Sequence, residues 1–273
     1  MITAAKKLLR HWFWVVMFRY PKLRVQLTRM LIPDRDVDVQ IFGAALHINT
    51  RREIGLWRAA RAAEGNIIFR DEAASLLNLA LLLQPEDVFV DVGANVGLYS
   101  SVLARYRHLF PESKFLAIEP NPGTAQRLRQ SLRTANVTVL NIGASNEATE
   151  LAFETGVTSG VFKVADPGRT TETTQVRCER LDALDLPAGD LVLKIDVENH
   201  ELPVLEGAER LFAERRIKVI YLDGYANAAI PELLRGHGFE LFDGRTLLPC
   251  ATELPEFSLL AVHRTRLERT HAS

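Results

Sequence analysis

Glu86-Asp87-Val88-Phe89-Val90-Asp91-Val92-Gly93-Ala94-Asn95-Val96-Gly97-Leu98-Tyr99-Ser100 is the stretch that decides the fold. The apolar run Val88 to Val92 reads as a buried strand, and the pattern beyond Gly97 reads as a helix. A strand that ends in a glycine-bearing turn and enters a helix belongs to an open α/β sheet. Ligands of such sheets collect at the carboxyl ends of the strands. Gly93 and Gly97 let a ligand approach the backbone closely, and the first helix amides offer unpaired donors. A G-x-G-x-x-G dinucleotide turn centred on Gly93 needs glycines at 91 and 96, where the chain has Asp91 and Val96. A carboxylate at a strand end repels a pyrophosphate and suits a cation. The pattern D-x-G-x-x-x-G therefore points away from NAD and toward a cationic ligand such as S-adenosylmethionine.

Outward from this stretch the chain alternates strand and helix, which predicts a mostly parallel sheet with helices on both faces. Strands are expected at 88–92, 114–119, 137–140, 191–196 and 218–222, with helices at about 96–107, 122–134, 202–213 and 227–236. Closing strands are expected at 239–242 and 258–262. Residues 144–190 interrupt the alternation with short antiparallel strands near 151–153, 160–164 and 175–178. Ahead of the sheet, residues 37–48 read as a hairpin, and helices follow at about 52–63 and 71–83. The chain thus divides into a basic aromatic extension (1–36), a hairpin and helical lead-in (37–85), the α/β domain (86–264) and a frayed tail (265–273).

Residues 1–35 carry Lys6, Lys7, Arg10, Arg19, Lys22, Arg24, Arg29 and Arg35 against one acid, Asp34. The extension's apolar run, Trp12 to Phe18, is far shorter than the ~20 residues needed to span a bilayer. It is either a basic helix lying on an anionic membrane surface or a helix packed on the domain. A formal net charge of −1 gives no global attraction to nucleic acid. Two cysteines, Cys178 and Cys250, are too few for a disulfide framework, and the chain reads as cytoplasmic.

Glu119 ends the second strand, 22 residues after Gly97, with Asn121 beside it. An acid there is placed to accept hydrogen bonds from two ribose hydroxyls. The segment Asn141 to Asn146, including Ser145, is either a polar turn or the loop nearest an adenine. Leu193-Lys194-Ile195-Asp196-Val197-Glu198-Asn199-His200-Glu201 crowds acids and a histidine at the end of the fourth strand. Asp196 must leave a buried strand into the cleft, which favours a functional role; Glu198 and His200 are candidates beside it. Asp196, Glu198, His200 and Asp223 form an oxygen-rich set of the kind that magnesium takes, but solvated acids are the expectation, with no metal.

These stretches together resemble the FkbM-type S-adenosylmethionine-dependent methyltransferases. The resemblance rests on DVFVDVGANVGLYS at 87–100, AIEPNP at 117–122, the Asn146-Glu147 turn, VRCERLDAL at 176–184 and LVLKIDVENHELPVLEGAERL at 191–211, and it covers roughly residues 37 to 262. It implies a class I methyltransferase, Rossmann-like sheet with one antiparallel strand and O-methylation of a hydroxyl on a sugar, glycan or natural product. By position it implies that Asp91, Gly93 and Asn95 contact the methionine portion, that Glu119 holds the ribose, and that Asp196 sits at the transfer centre. Gly97, Asn121, Ser145 and Asn146 complete the expected cofactor set, and Asp196, His200 and Glu198 the catalytic one. The chain departs from the family where Asn199 replaces the usual glycine after KIDVE, and where Asp223 replaces a frequent glutamate after the fifth strand. The alternative is a non-catalytic S-adenosylmethionine-binding module recruited to a membrane.

Overall fold

The computed structural model describes residues 30–61, 67–155, 162–165, 172–225, 227–251, 253–255 and 257–270. Most of the N-terminal extension, with its membrane-surface reading, lies outside the described residues, as does part of the strand expected at 160–164. Among the described residues no helix is long and apolar enough to cross a membrane.

Near the start of the described residues lies the expected hairpin, β1 (Asp36–Ile41) and β2 (Ala44–Asn49). Phe42 and Gly43 turn it with φ of 47° and 77°. Two consecutive positive φ values match the right-handed twist of the paired strands. Helices α1 (Ile54–Ala59) and α2 (Ile67–Leu82) follow. The strands β3 (Val88–Val92), β4 (Lys114–Ile118), β5 (Val137–Leu140), β9 (Leu191–Ile195), β10 (Ile217–Gly224), β11 (Phe239–Asp243) and β12 (Phe257–His263) make one seven-stranded sheet. Its order is β11-β12-β10-β9-β3-β4-β5, and β12 alone runs against its neighbours. This is the class I, Rossmann-like arrangement with one antiparallel strand. β6 (Gly143–Ala144), β7 (Thr149–Glu154) and β8 (Thr173–Glu179) form a separate three-stranded sheet.

Helices α3 (Leu98–Arg105), α4 (Pro122–Ser131), α5 (Glu201–Glu206), α6 (Glu209–Ala213) and α7 (Ala229–Gly236) connect the main strands. Every residue of β3 and β9 is buried, as expected for central parallel strands covered on both faces. Strand alternation sorts them: Val88, Val90, Val92, Leu191, Leu193 and Ile195 enter one apolar cluster, while Phe89 and Val192 join Tyr99, Val102 and Tyr221 in another. Leu76, Leu79 and Leu83 of the lead-in belong to that second cluster. Ser75 accepts a hydrogen bond from the Tyr221 hydroxyl at 2.7 Å, and Asn78 donates to the Gly244 carbonyl at 2.7 Å.

Two expectations need correction. The helix at 202–213 is two helices, broken at Gly207-Ala208. A Cβ at Gly207 would lie 2.0 Å from the Ser145 carbonyl oxygen, so the Ser145 loop presses directly on the helix backbone there. Of the tail expected at 265–273, the described part is helical: α8 (Arg264–Thr270) continues from β12, and the buried Arg266 guanidinium meets the buried Asp87 carboxylate at 2.8 Å. Removing one member of a buried pair leaves the other charge uncompensated. Arg266→Leu is therefore expected to cost about 3 kcal/mol in urea denaturation; a loss below about 1 kcal/mol would show that Asp87 finds another partner.

Candidate functional site

β3 and β9 run in parallel register with Asp91 opposite Lys194. Both residues alternate with cluster-forming neighbours, so both side chains point into the layer beneath α2 and α3 rather than up into the cleft. Lys194 is 4% exposed at its side chain, 3.4 Å from Asp91 and 3.3 Å from Asp196. It also donates to the Gly93 carbonyl at 3.1 Å. Burial alone would lower its pKa, but Asp196, Asp91, Asp223 and Glu72 outweigh that and hold it charged. Asp91 in turn accepts from the Ser100 amide and hydroxyl in the first turn of α3, where helix amides favour an anion. One ammonium thus ties together the end of β3, the glycine turn and the base of the loop after β9.

Above this layer, at the carboxyl ends of β3, β4 and β9, lies a cleft of about 610 Å³ measured out to its open mouth. β3 lies between β4 on one side and β9 on the other, so the cleft occupies the point where strand order reverses. Gly93 and Asn95 line it from the first turn, Glu119 from the end of β4, and Asp196, Glu198 and His200 from the end of β9. A Cβ at Gly93, where φ is +73°, would lie 1.9 Å from the Asp196 carbonyl oxygen. Glycine is what allows the two loops to close into one wall.

Glu119 is 6% exposed. Its two oxygens accept from the Asn95 and Asn121 amides, each at 2.9 Å. Burial pushes its pKa up to about 7, against the pull of those two amides. A carboxylate pinned by two backbone donors keeps lone pairs for two adjacent hydroxyls. Asn95 lines the cleft, and its buried Oδ1 has no hydrogen-bond partner. Among the described lining residues there are three carboxylates and no Lys or Arg. That lining fits S-adenosylmethionine, with its ribose diol and sulfonium, and opposes a pyrophosphate.

The structure moves several expected cofactor residues away from the wall. Asp91 lies beneath the cleft, neutralised by Lys194; the acidity that favours a cation comes from Glu119, Asp196 and Glu198 instead. Gly97, with φ of 86°, caps α3 and is packed against Leu128. The Asn121 side chain caps α4 by accepting from the Thr124 amide. Ser145 is buried and contacts His200, and Asn146 donates to Glu206.

The loop after β9 is held in an unusual backbone shape. Glu198 and Asn199 have φ of 51° and 71°. Asn tolerates the left-handed region better than other side-chain-bearing residues, so Asn199 preserves the conformation that a glycine there would take. Glu201 accepts from the Asn199 amide at 2.9 Å and fixes the turn. Asn199→Gly is expected to change stability by less than about 0.5 kcal/mol, whereas Asn199→Val should cost about 2 kcal/mol. Equal thermal shifts for the two variants would rule out a conformational role. Burial, then Asp196, raises the Glu198 pKa; burial lowers that of His200.

Three features escaped the reading of the sequence. Phe153 and Phe162 stack at 5.0 Å and line the cleft from the three-stranded sheet side. Their signal was hidden because that segment breaks the α/β alternation. Lys194 was legible in principle: a lysine inside an apolar strand requires buried acceptors. Glu72 and Tyr99, from α2 and α3, stand over the same ion pair. Burial and Asp223 push Glu72 up to about 7, and the Tyr99 ring lies 5.3 Å from the Lys194 ammonium. Among the described residues no three His, Cys, Asp or Glu side chains are gathered as metal ligands.

The Methyltransferase FkbM domain family model matches residues 91–241. The hexuronic acid methyltransferase AglP of Haloferax volcanii is 34% identical over 128 residues, 45% of this chain and 51% of that protein. The AMB antimetabolite synthetase AmbE of Pseudomonas aeruginosa is 29% identical over 226 residues, 64% of this chain and 10% of that protein. The 31-O-demethyl-FK506 methyltransferase FkbM of Streptomyces tacrolimicus is 28% identical over 250 residues, 77% of this chain and 92% of that protein. The chain spans about half the length of the first of these relatives and a tenth of the second. With the matched segment running from the end of β3 to β11 and so enclosing the whole cleft, this chain belongs to the FkbM-domain methyltransferase family.

Proposed function

We propose that this protein is an S-adenosylmethionine-dependent O-methyltransferase acting on a hydroxyl of a sugar, glycan or natural product. The observation that carries the reading is the acid-lined cleft that Glu119, Asn95, Asp196 and His200 line together. When bound, S-adenosylmethionine supplies a methyl group already activated on a sulfonium. Glu119 would hold the ribose diol, and the Asn95 amide oxygen and the Gly93 turn would receive the amino-acid end. Asp196, 38% exposed at its side chain and tethered to Lys194, would orient the acceptor hydroxyl. Holding that oxygen ~3 Å from the methyl carbon supplies much of the rate. An alcohol must also lose its proton, and His200, kept neutral by burial, is the candidate base.

A hydroxyl acceptor is supported by relatives described as a hexuronic acid methyltransferase and a 31-O-demethyl-FK506 methyltransferase. The test is methyl transfer from labelled cofactor to uronic acids, neutral sugars and macrolide alcohols, followed by mass spectrometry. Wild type should methylate a hydroxyl, and Asp196→Asn should lose at least roughly 100-fold in kcat. Full activity in that variant would overturn the assignment of Asp196. Thermal stabilisation by the cofactor with no transfer to any hydroxyl would favour the non-catalytic module.

A further inference from the structure

Asn146 Nδ2 donates to Glu206 Oε2 at 3.0 Å. A carboxylate in this contact only accepts, so the amide must present its nitrogen to Glu206 and its oxygen to the other side. On that other side the Ser145 hydroxyl donates to Asn146 Oδ1 at 3.3 Å. A hydroxyl has one proton, and of its two neighbours Asn146 Oδ1 can only accept, whereas an imidazole nitrogen can donate or accept. With the proton given to Asn146, the contact of Ser145 Oγ to His200 Nε2 at 3.0 Å is one in which Oγ accepts and Nε2 carries the hydrogen. In a neutral imidazole this leaves the lone pair on Nδ1.

We propose that Glu206, Asn146 and Ser145 form a positioning relay that fixes His200 in the Nε2–H tautomer, so that Nδ1 takes the acceptor's proton. The inference rests on the proposed methyl transfer and names the atom that performs its proton step. As the acceptor oxygen gains the methyl carbon, the S–CH3 bonding pair stays with sulfur and the hydroxyl proton passes to Nδ1. The ring becomes an imidazolium whose Nε2–H still donates to Ser145. No hydrogen bond in the relay has to break, so the donor to Ser145 is the same before and after transfer. The charged group acting on the ring through space is Glu206, from α5. Rigidity comes from two sides. Gly207 presses its backbone against the Ser145 carbonyl, and Arg180 donates to the Asn146 carbonyl at 2.8 Å while pairing with Asp182 at 2.7 Å.

The relay reassigns Ser145 and Asn146, expected from sequence near the adenine, to the proton-transfer side of the cleft. A direct test is long-range proton–nitrogen NMR on the full chain labelled with 15N-histidine, with His200 assigned through His200→Gln. Wild type should show a protonated Nε2 and a bare Nδ1. Ser145→Ala and Asn146→Leu should give a mixture of tautomers and lower kcat roughly 10- to 100-fold, with the Kd for S-adenosylmethionine unchanged within about two-fold. Ser145→Thr, which restores the hydroxyl, should recover both tautomer and rate. A wild-type His200 protonated on Nδ1 would overturn the relay. So would a Ser145→Ala variant that keeps the tautomer and loses cofactor affinity instead. If wild type methylates no hydroxyl, the proposed reaction fails while the tautomer measurement still judges the relay.

Discussion

Glu119→Gln is expected to weaken S-adenosylmethionine binding roughly 100- to 1,000-fold. The carboxylate is held by the Asn95 and Asn121 amides, and its free lone pairs would each take a ribose hydroxyl. Two charge-assisted hydrogen bonds at about 1.5–2 kcal/mol each give about 3–4 kcal/mol of binding. A glutamine loses the charge and turns its NH2 group toward one of the two backbone donors, so a bond inside the protein is lost as well. Titration calorimetry of the purified variant reads the effect directly; a change below about three-fold would remove Glu119 from the cofactor site.

The same side chain gives the binding a pH dependence of known sign. In the free protein Glu119 ionises at about 7 because it is buried. Its ionised form binds the diol, so affinity should fall as pH falls through 7, by about ten-fold between pH 8 and pH 6 if this group alone titrates. In Glu119→Gln that slope should vanish. Stability of the free protein runs the other way. A carboxyl whose folded pKa is raised binds more protons folded than unfolded between its usual value near 4.5 and 7. Its contribution is full below 4.5 and is lost as pH rises through 7, and Glu72 adds in the same direction. Wild-type Tm without cofactor should therefore decline across this window more steeply than that of Glu119→Gln.

Lys194→Met is the second large effect, with an expected loss of about 4–5 kcal/mol of folding stability. Methionine fills the space but leaves the buried Asp91 carboxylate without its cation, while Ser100 still donates to it. It also removes the donor to the Gly93 carbonyl and the tether of Asp196. Folding and cofactor affinity should therefore fall together in this variant. Adding Asp91→Asn should recover a measurable part of the stability, because the two changes share one interaction and their costs do not add. Denaturant titrations of the two single variants and the double variant form the required cycle. Strict additivity would mean that the pair is electrostatically idle and that the lysine acts only by filling space.

The strand–turn–helix beginning at Val88, the parallel sheet and the cofactor class were legible in the sequence because they depend on local pattern. Apolar runs and glycine spacing are properties of consecutive residues, and Glu119 carries its meaning by its distance from Gly97. The lead-in hairpin was legible for the same reason. The direction in which Asp91 faces was not. It depends on strand parity together with the register that sets Lys194 opposite, and register is a contact between segments about a hundred residues apart. The break at Gly207 and the docking of Arg266 on Asp87 are likewise long-range contacts that no local pattern records. Asn199 was visible as a departure from glycine, but only its φ of 71° shows the departure to be conformationally conservative. The sequence alone therefore determined which cofactor this chain is built to hold and roughly where. Tertiary structure decided which acids face it, which ammonium holds the site together, and which neighbours His200 meets, since each of those is a pairing of residues far apart in the chain.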